Sequence, residues 1–101
     1  MIDMPSGRAT LILYEKEVFP DGTIIQVRVW RLPRPSAERP HGLKYSLFFG
    51  RPRQRIVGYD NESGKRDHRH YGDRELPYRF TSLEQLTNDF EADIKAFKDR
   101  N

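Results

Sequence analysis

A chain of 101 residues has room for one domain and a thin core, because a domain this small buries little more than about 60% of its unfolded surface. Charged residues make up 33% and mean hydropathy is −0.86, yet aromatics reach 12%, which excludes an ordinary disordered chain. The chain has no cysteine, so disulfides, thiolate zinc sites and a cysteine nucleophile are excluded. The first residues read as neither a signal peptide nor a membrane span, and the expectation is a cytoplasmic protein.

The net charge of +3 is unevenly spread. Residues 28–55 hold eight basic side chains against Glu38 alone, a local charge of +7. Residues 56–80 hold five charges of each sign, and 1–27 and 81–101 are each at −2. A basic middle suits a polyanion or an acidic partner, or is simply a solvated basic loop.

Residues 1–8 carry Pro5, Ser6 and Gly7 and read as a flexible lead to a single domain spanning 1–101. Ala9 to Val18 alternates as a strand, with Leu11 and Leu13 on one face and Ile12, Tyr14 and Lys16 on the other. Pro20-Asp21-Gly22 marks a turn. Thr23 to Leu32 is a second strand, placing Ile25, Val27 and Val29 opposite Gln26, Arg28 and Trp30, so the two form an antiparallel hairpin. Residues 33–42 hold three prolines and read as a loop. Lys44 to Phe49 is a third strand with Tyr45, Leu47 and Phe49 on one face. Gly50 to Arg53 turns the chain into a fourth strand, Gln54 to Tyr59. Asp67 to Tyr71 makes a short fifth strand, in which His68 and His70 share one face and Arg69 and Tyr71 the other. Gly72-Asp73-Arg74-Glu75 reads as the start of a turn. A helix over 81–99 closes the chain, with Thr81 and Glu84 as a capping box. Leu83, Leu86, Phe90, Ile94 and Phe97 form its apolar stripe, which covers the sheet or, alternatively, binds a partner. The expected fold is α+β: a mostly antiparallel sheet of four to five strands covered by one C-terminal helix.

Residues 58–80 concentrate the chemistry. Metal-free RNA cleavage needs a base for the 2′-hydroxyl, an acid for the leaving oxygen and cations for the phosphorane. Histidine titrates near neutrality, so His68 and His70 suit the two proton roles. Lys65, Arg69 and Arg74 suit the developing charge, because a guanidinium fork holds two phosphate oxygens. Asp67 or Asp60 would orient a histidine. Tyr59, Tyr71 and Tyr78 would stack bases or pack at sheet edges. Asp60, Asn61 and Glu75 complete the substrate-binding candidates, although Asp60-Asn61 also suits a turn, and Arg74 could simply pair with Glu75 or Asp73.

Other readings use the same residues. The histidines could be exposed strand residues with no task. With Asp60, Asp67 or Glu75 they could ligate a metal, but no zinc signature is present and the dense cations oppose it. Gly58 and Gly64-Lys65 fail the phosphate-loop spacing, with Arg66 where Ser or Thr belongs. The expectation is therefore no metal and no cofactor.

The run Gly58-Tyr59-Asp60-Asn61, Gly64-Lys65, His68-Arg69-His70, Gly72-Asp73-Arg74-Glu75, Pro77-Tyr78 and Phe80, with the Leu-rich helix after it, resembles the TumE-like toxin components of bacterial toxin–antitoxin modules. The resemblance spans about residues 9–97. It implies a helix-turn-helix antitoxin partner and a ribonuclease-like activity on RNA, without assigning roles to single residues. Residues and resemblance together point to a metal-independent endoribonuclease toxin. The alternative is a basic module that binds nucleic acid or protein without cutting.

Overall fold

Strict alternation of apolar and polar side chains builds most of this molecule. The computed structural model of the chain describes residues 8–62 and 66–100. Six strands run Thr10–Val18 (β1), Ile24–Arg31 (β2), Leu43–Arg51 (β3), Gln54–Asp60 (β4), His68–Tyr71 (β5) and Arg74–Pro77 (β6). One helix, Leu83–Arg100 (α1), follows them. The strands lie in chain order as one antiparallel meander. The expected flexible lead falls, apart from Arg8, outside the described residues.

One face of the sheet is the core face. Val27 and Val29 of β2, Tyr45, Leu47 and Phe49 of β3, and Val57 and Tyr59 of β4 are all nearly inaccessible to solvent. Leu86, Phe90 and Ile94 of α1 pack on them, with the helix crossing β4. The expected stripe therefore covers the sheet. Burying such side chains contributes about 1.5–3 kcal/mol each, the main force holding helix to sheet. The alternate residues, among them Arg28, Trp30, Ser46, Phe48 and Asp60, fall on the opposite face, which no helix covers among the described residues.

Four details differ from the sequence reading. A bulge between Leu11 and Leu13 adds a residue to β1, so Leu13 joins the core face opposite Val29 while Leu11 stands opposite Trp30. The β3–β4 turn is shorter than expected: β3 runs on to Arg51, and Arg53 takes the left-handed backbone, φ 67°. A sixth strand replaces the turn expected at Gly72 to Glu75. Only Gly72 and Asp73 form the loop, with Gly72 at φ 58°, and Arg74–Pro77 pairs back on β5. Pro77 has no N–H for a ladder, which fits the edge position β6 occupies. Finally, Ser82 rather than Thr81 caps α1: its hydroxyl accepts from the Gln85 N–H at 3.0 Å, so the helix starts at Leu83.

The proline-rich segment between β2 and β3 is a fixed loop. The Leu32 N–H donates to the Gly42 carbonyl at 2.8 Å, closing its base. Buried Arg39 donates from Nε and Nη2 to the Asn61 carbonyl at 3.1 and 2.9 Å. His41 and Tyr45 both bond Asp67, at 3.0 and 2.7 Å, which ties the loop to the chain entering β5.

Candidate functional site

Antiparallel pairing of β4 with β5 sets Asp60 opposite His68 and Gly58 opposite His70. Pairing of β5 with β6 adds Glu75 beside His70. Tyr59 and Val57, on the core face, lie opposite Arg69 and Tyr71. The pleat of β5 therefore sends its two histidines to the open face and its Arg and Tyr to the helix.

Arg55 completes the open-face cluster. A Cβ at Gly58 would lie 2.6 Å from Arg55 Cδ, so the glycine leaves the lane along which the arginine crosses the sheet. Arg55 Nη2 ends 3.0 Å from His70 Nδ1, and Nη1 ends 3.8 Å from Asp60 Oδ2. A guanidinium only donates, so Nδ1 of His70 accepts and the ring proton sits on Nε2. That nitrogen lies 3.2 Å from Asp60 Oδ2, but the two groups are not aligned as a hydrogen bond. Burial, reinforced by the Arg55 charge, holds His70 below the usual histidine range against the pull of Asp60 and Glu75. His68 Nε2 lies 3.3 Å from Glu75 Oε2. Among the described residues, His68 Nδ1 and His70 Nε2 are buried and make no hydrogen bond. Unpaired buried polar atoms cost stability; Arg69 Nε, on the helix-side face of β5, is a third such atom.

The other candidates lie elsewhere. Arg69 belongs to the helix-side face, where its guanidinium bonds both Asp93 oxygens at 3.0 and 2.9 Å and sits over the rings of Tyr59, Tyr71 and Tyr78. The hydroxyls of Tyr59 and Tyr71 also donate to Asp93, and Tyr78 donates to Asp89 at 2.6 Å. Burial, with those carboxylates, raises the pKa of all three phenols. Tyr59 is fully buried and packs edge-on against Tyr78 and Phe90, so it offers no ring to a base. Asp67 does hold a histidine, but it is His41, whose Nδ1 accepts from the Leu43 N–H at 3.2 Å. Asn61 is fully buried and uses its amide on the backbone of Leu43 and Tyr45. Arg74 is exposed and stands opposite Tyr71, out of register with the histidines. Lys65 lies outside the described residues.

Sequence reasoning missed Arg55 as a site residue. Its signal was faint: a cation three residues before Gly58 gains meaning only when β5 is laid beside β4. A cleft of about 280 Å³ lies on the helix side, lined by Arg55, Val57, Tyr71, Asp93, Phe97 and Arg100; neither histidine lines it, but Arg55 borders both the cleft and the histidine cluster. Among the described residues no group of three or more His, Asp or Glu is placed to hold a metal ion. None of their helices is long and apolar enough to cross a membrane.

A family model described as Toxin TumE matches residues 8–98. The chain belongs to the TumE toxin family. It is thus a toxin component of a toxin–antitoxin module, and an antitoxin is its partner. The match takes in the whole sheet and all but the last two residues of α1, so both faces of β5 belong to the family's domain. No curated protein and no solved structure matches the chain.

Proposed function

We propose that this TumE-family toxin is a metal-independent endoribonuclease that works on the open face of its sheet. The observation that carries the reading is the convergence of His68, His70, Asp60, Glu75 and Arg55 there, with two buried ring nitrogens lacking hydrogen-bond partners. In this reading a substrate phosphate draws Arg55 to itself and frees Nδ1 of His70. The neutral ring then takes the 2′-hydroxyl proton, while Asp60 faces the Nε2–H and stabilises the imidazolium that forms. His68, held beside Glu75, delivers a proton to the leaving 5′-oxygen. Arg55 stays on the phosphorane, the task first expected of Lys65, Arg69 and Arg74. The partner expected from the resemblance is a small helix-turn-helix antitoxin.

The test is cleavage of a mixed-sequence RNA, with and without EDTA, by the wild type, His68→Gln, His70→Gln and Arg55→Gln. Cleavage should persist in EDTA and fall by about 10²–10⁴ in each histidine variant. Wild-type rates in both histidine variants, with their folds confirmed by circular dichroism, would sink the assignment. One observation favours a second reading, binding without cleavage: His70 is only 6% exposed and Arg55 covers its accepting nitrogen. Intact RNA recovered from a tight, salt-sensitive complex would decide for that reading.

A further inference from the structure

The open face carries more than the histidine cluster. Arg28 lies between the buried Val27 and Val29 in β2, so it projects away from the core, as does Trp30 beyond it. Phe48, between buried Leu47 and Phe49 in β3, does the same. Trp30 and Phe48 are both half-buried, with no helix over them among the described residues. Their neighbours are mostly polar, with Leu11 of β1 on the other side of Trp30. Trp30 stands opposite Lys44, Arg28 opposite Ser46, and Phe48 between Gln26 and the bare Gly58. Arg28 also lies over the Tyr14 ring, 5.8 Å from its centroid.

Followed diagonally across the sheet, the order is Trp30, Arg28, Phe48, Arg55, His70. Strand geometry puts Trp30 and Phe48 about 14 Å apart, and Phe48 and His70 about 10 Å apart across Gly58. Aromatic faces thus alternate with guanidinium groups up to the histidine cluster. Apolar side chains of β1, Leu11 and Tyr14, border this face beside Trp30 and Arg28, but along the diagonal itself rings interleave with cations, unlike the contiguous apolar patch of a protein-docking face. A duplex hides its bases and presents phosphates alone. A single strand presents both, bases to stack and phosphates to neutralise.

We propose that this face binds single-stranded RNA across β2, β3 and β4. Bases stack on Trp30 and Phe48, phosphates lie on Arg28 and Arg55, and the track delivers the strand to His68 and His70. The choice of RNA rests on the ribonuclease reading; the stacking track itself does not require cleavage.

Binding is measured by fluorescence anisotropy with a fully 2′-O-methylated single strand, which has no 2′-hydroxyl to react. The duplex of the same sequence and the matching DNA strand are compared. Trp30→Leu and Phe48→Leu keep apolar volume on the sheet but remove the ring. Each should weaken single-strand binding roughly tenfold, with circular dichroism unchanged. Arg28→Gln should weaken it too and reduce the salt slope by about 0.7. The single strand should bind tighter than the duplex. Folded Leu variants that bind like wild type, or a preference for the duplex, overturn the track. So does absent RNA binding by the wild type, and if the same Leu variants lose the antitoxin the face is a protein surface. Equal affinity of the His68→Gln variant for the unmodified RNA strand and the DNA strand overturns the RNA assignment alone. Histidine variants that bind but never cleave leave the track standing, and Leu variants that neither bind nor cleave support it. Active Leu variants with full affinity remove the track without touching the ribonuclease reading.

Discussion

Asn61 stands where β4 ends and the chain turns away from β3. Its Oδ1 accepts the Tyr45 N–H at 2.9 Å, and its Nδ2 donates to the Leu43 carbonyl at 2.8 Å, so one side chain stands in for a ladder rung. Asn61→Ala would strand two backbone groups, the buried Tyr45 N–H and the partly buried Leu43 carbonyl. The expected loss is about 2–4 kcal/mol, read from urea unfolding, and a loss under about 1 kcal/mol would show that water replaces the amide. His70 carries a second residue-scale prediction. Arg55, Asp60 and Glu75 face it, and burial with the Arg55 charge lowers its folded pKa. The unfolded chain therefore takes up a proton first as pH falls from the ordinary value of 6.5. His70 thus adds a pH-dependent term that is whole above that value and is lost as pH drops toward the folded pKa. Urea midpoints at about pH 8 and about pH 5 should converge in His70→Gln relative to wild type, since the variant lacks this titration. An unchanged difference would mean that His70 titrates alike in both states.

At the scale of elements, α1 is held by more than its apolar stripe. Asp93 gathers Arg69, Tyr59 and Tyr71 from two strands, with its own side chain only 13% exposed. Removing the carboxylate leaves a half-buried cation and two phenols without their acceptor. Asp93→Ala should cost about 2–4 kcal/mol, whereas Ser82→Ala, which removes only the cap of an exposed first turn, should cost about 1 kcal/mol. Thermal unfolding of the two variants checks the order, and equal shifts would demote the Asp93 cluster to surface pairing. The two sheet edges also differ. β6 is short, charged and ends in Pro77, while β1 is long and bears Leu11, Ile12, Tyr14 and Val18, all more than a third exposed. A blunt edge resists adding another strand, and β1 is less protected.

For the whole molecule, the two faces of one sheet differ: the helix covers one, and the proposed site lies on the other. A chain ending at residue 81 would uncover Val29, Tyr45, Leu47, Phe49 and Tyr59 together, so it should show no cooperative thermal transition. A sharp transition in that fragment would contradict the packing account. Much of this plan was legible in the sequence. Alternation identified β2 and β3 and grouped Val27 with Val29, and Tyr45 with Leu47 and Phe49, on one face of each strand, because a period of two is a local property of the strand; which face is buried was decided by the helix. Helical spacing likewise found the stripe of α1. β6 was obscured by Pro77 and by a loop of two residues, and the bulge in β1 leaves no local mark. The candidate site was half legible. The sequence by itself determined that His68 and His70 share a face and that Arg69 and Tyr71 share the other. It could not determine that the helix lies over Arg69, turning a candidate phosphate ligand into the partner of Asp93, or that Arg55 crosses Gly58 to reach His70. Those outcomes depend on the register between strands and on which face is covered, and both are set by contacts between residues far apart in the chain.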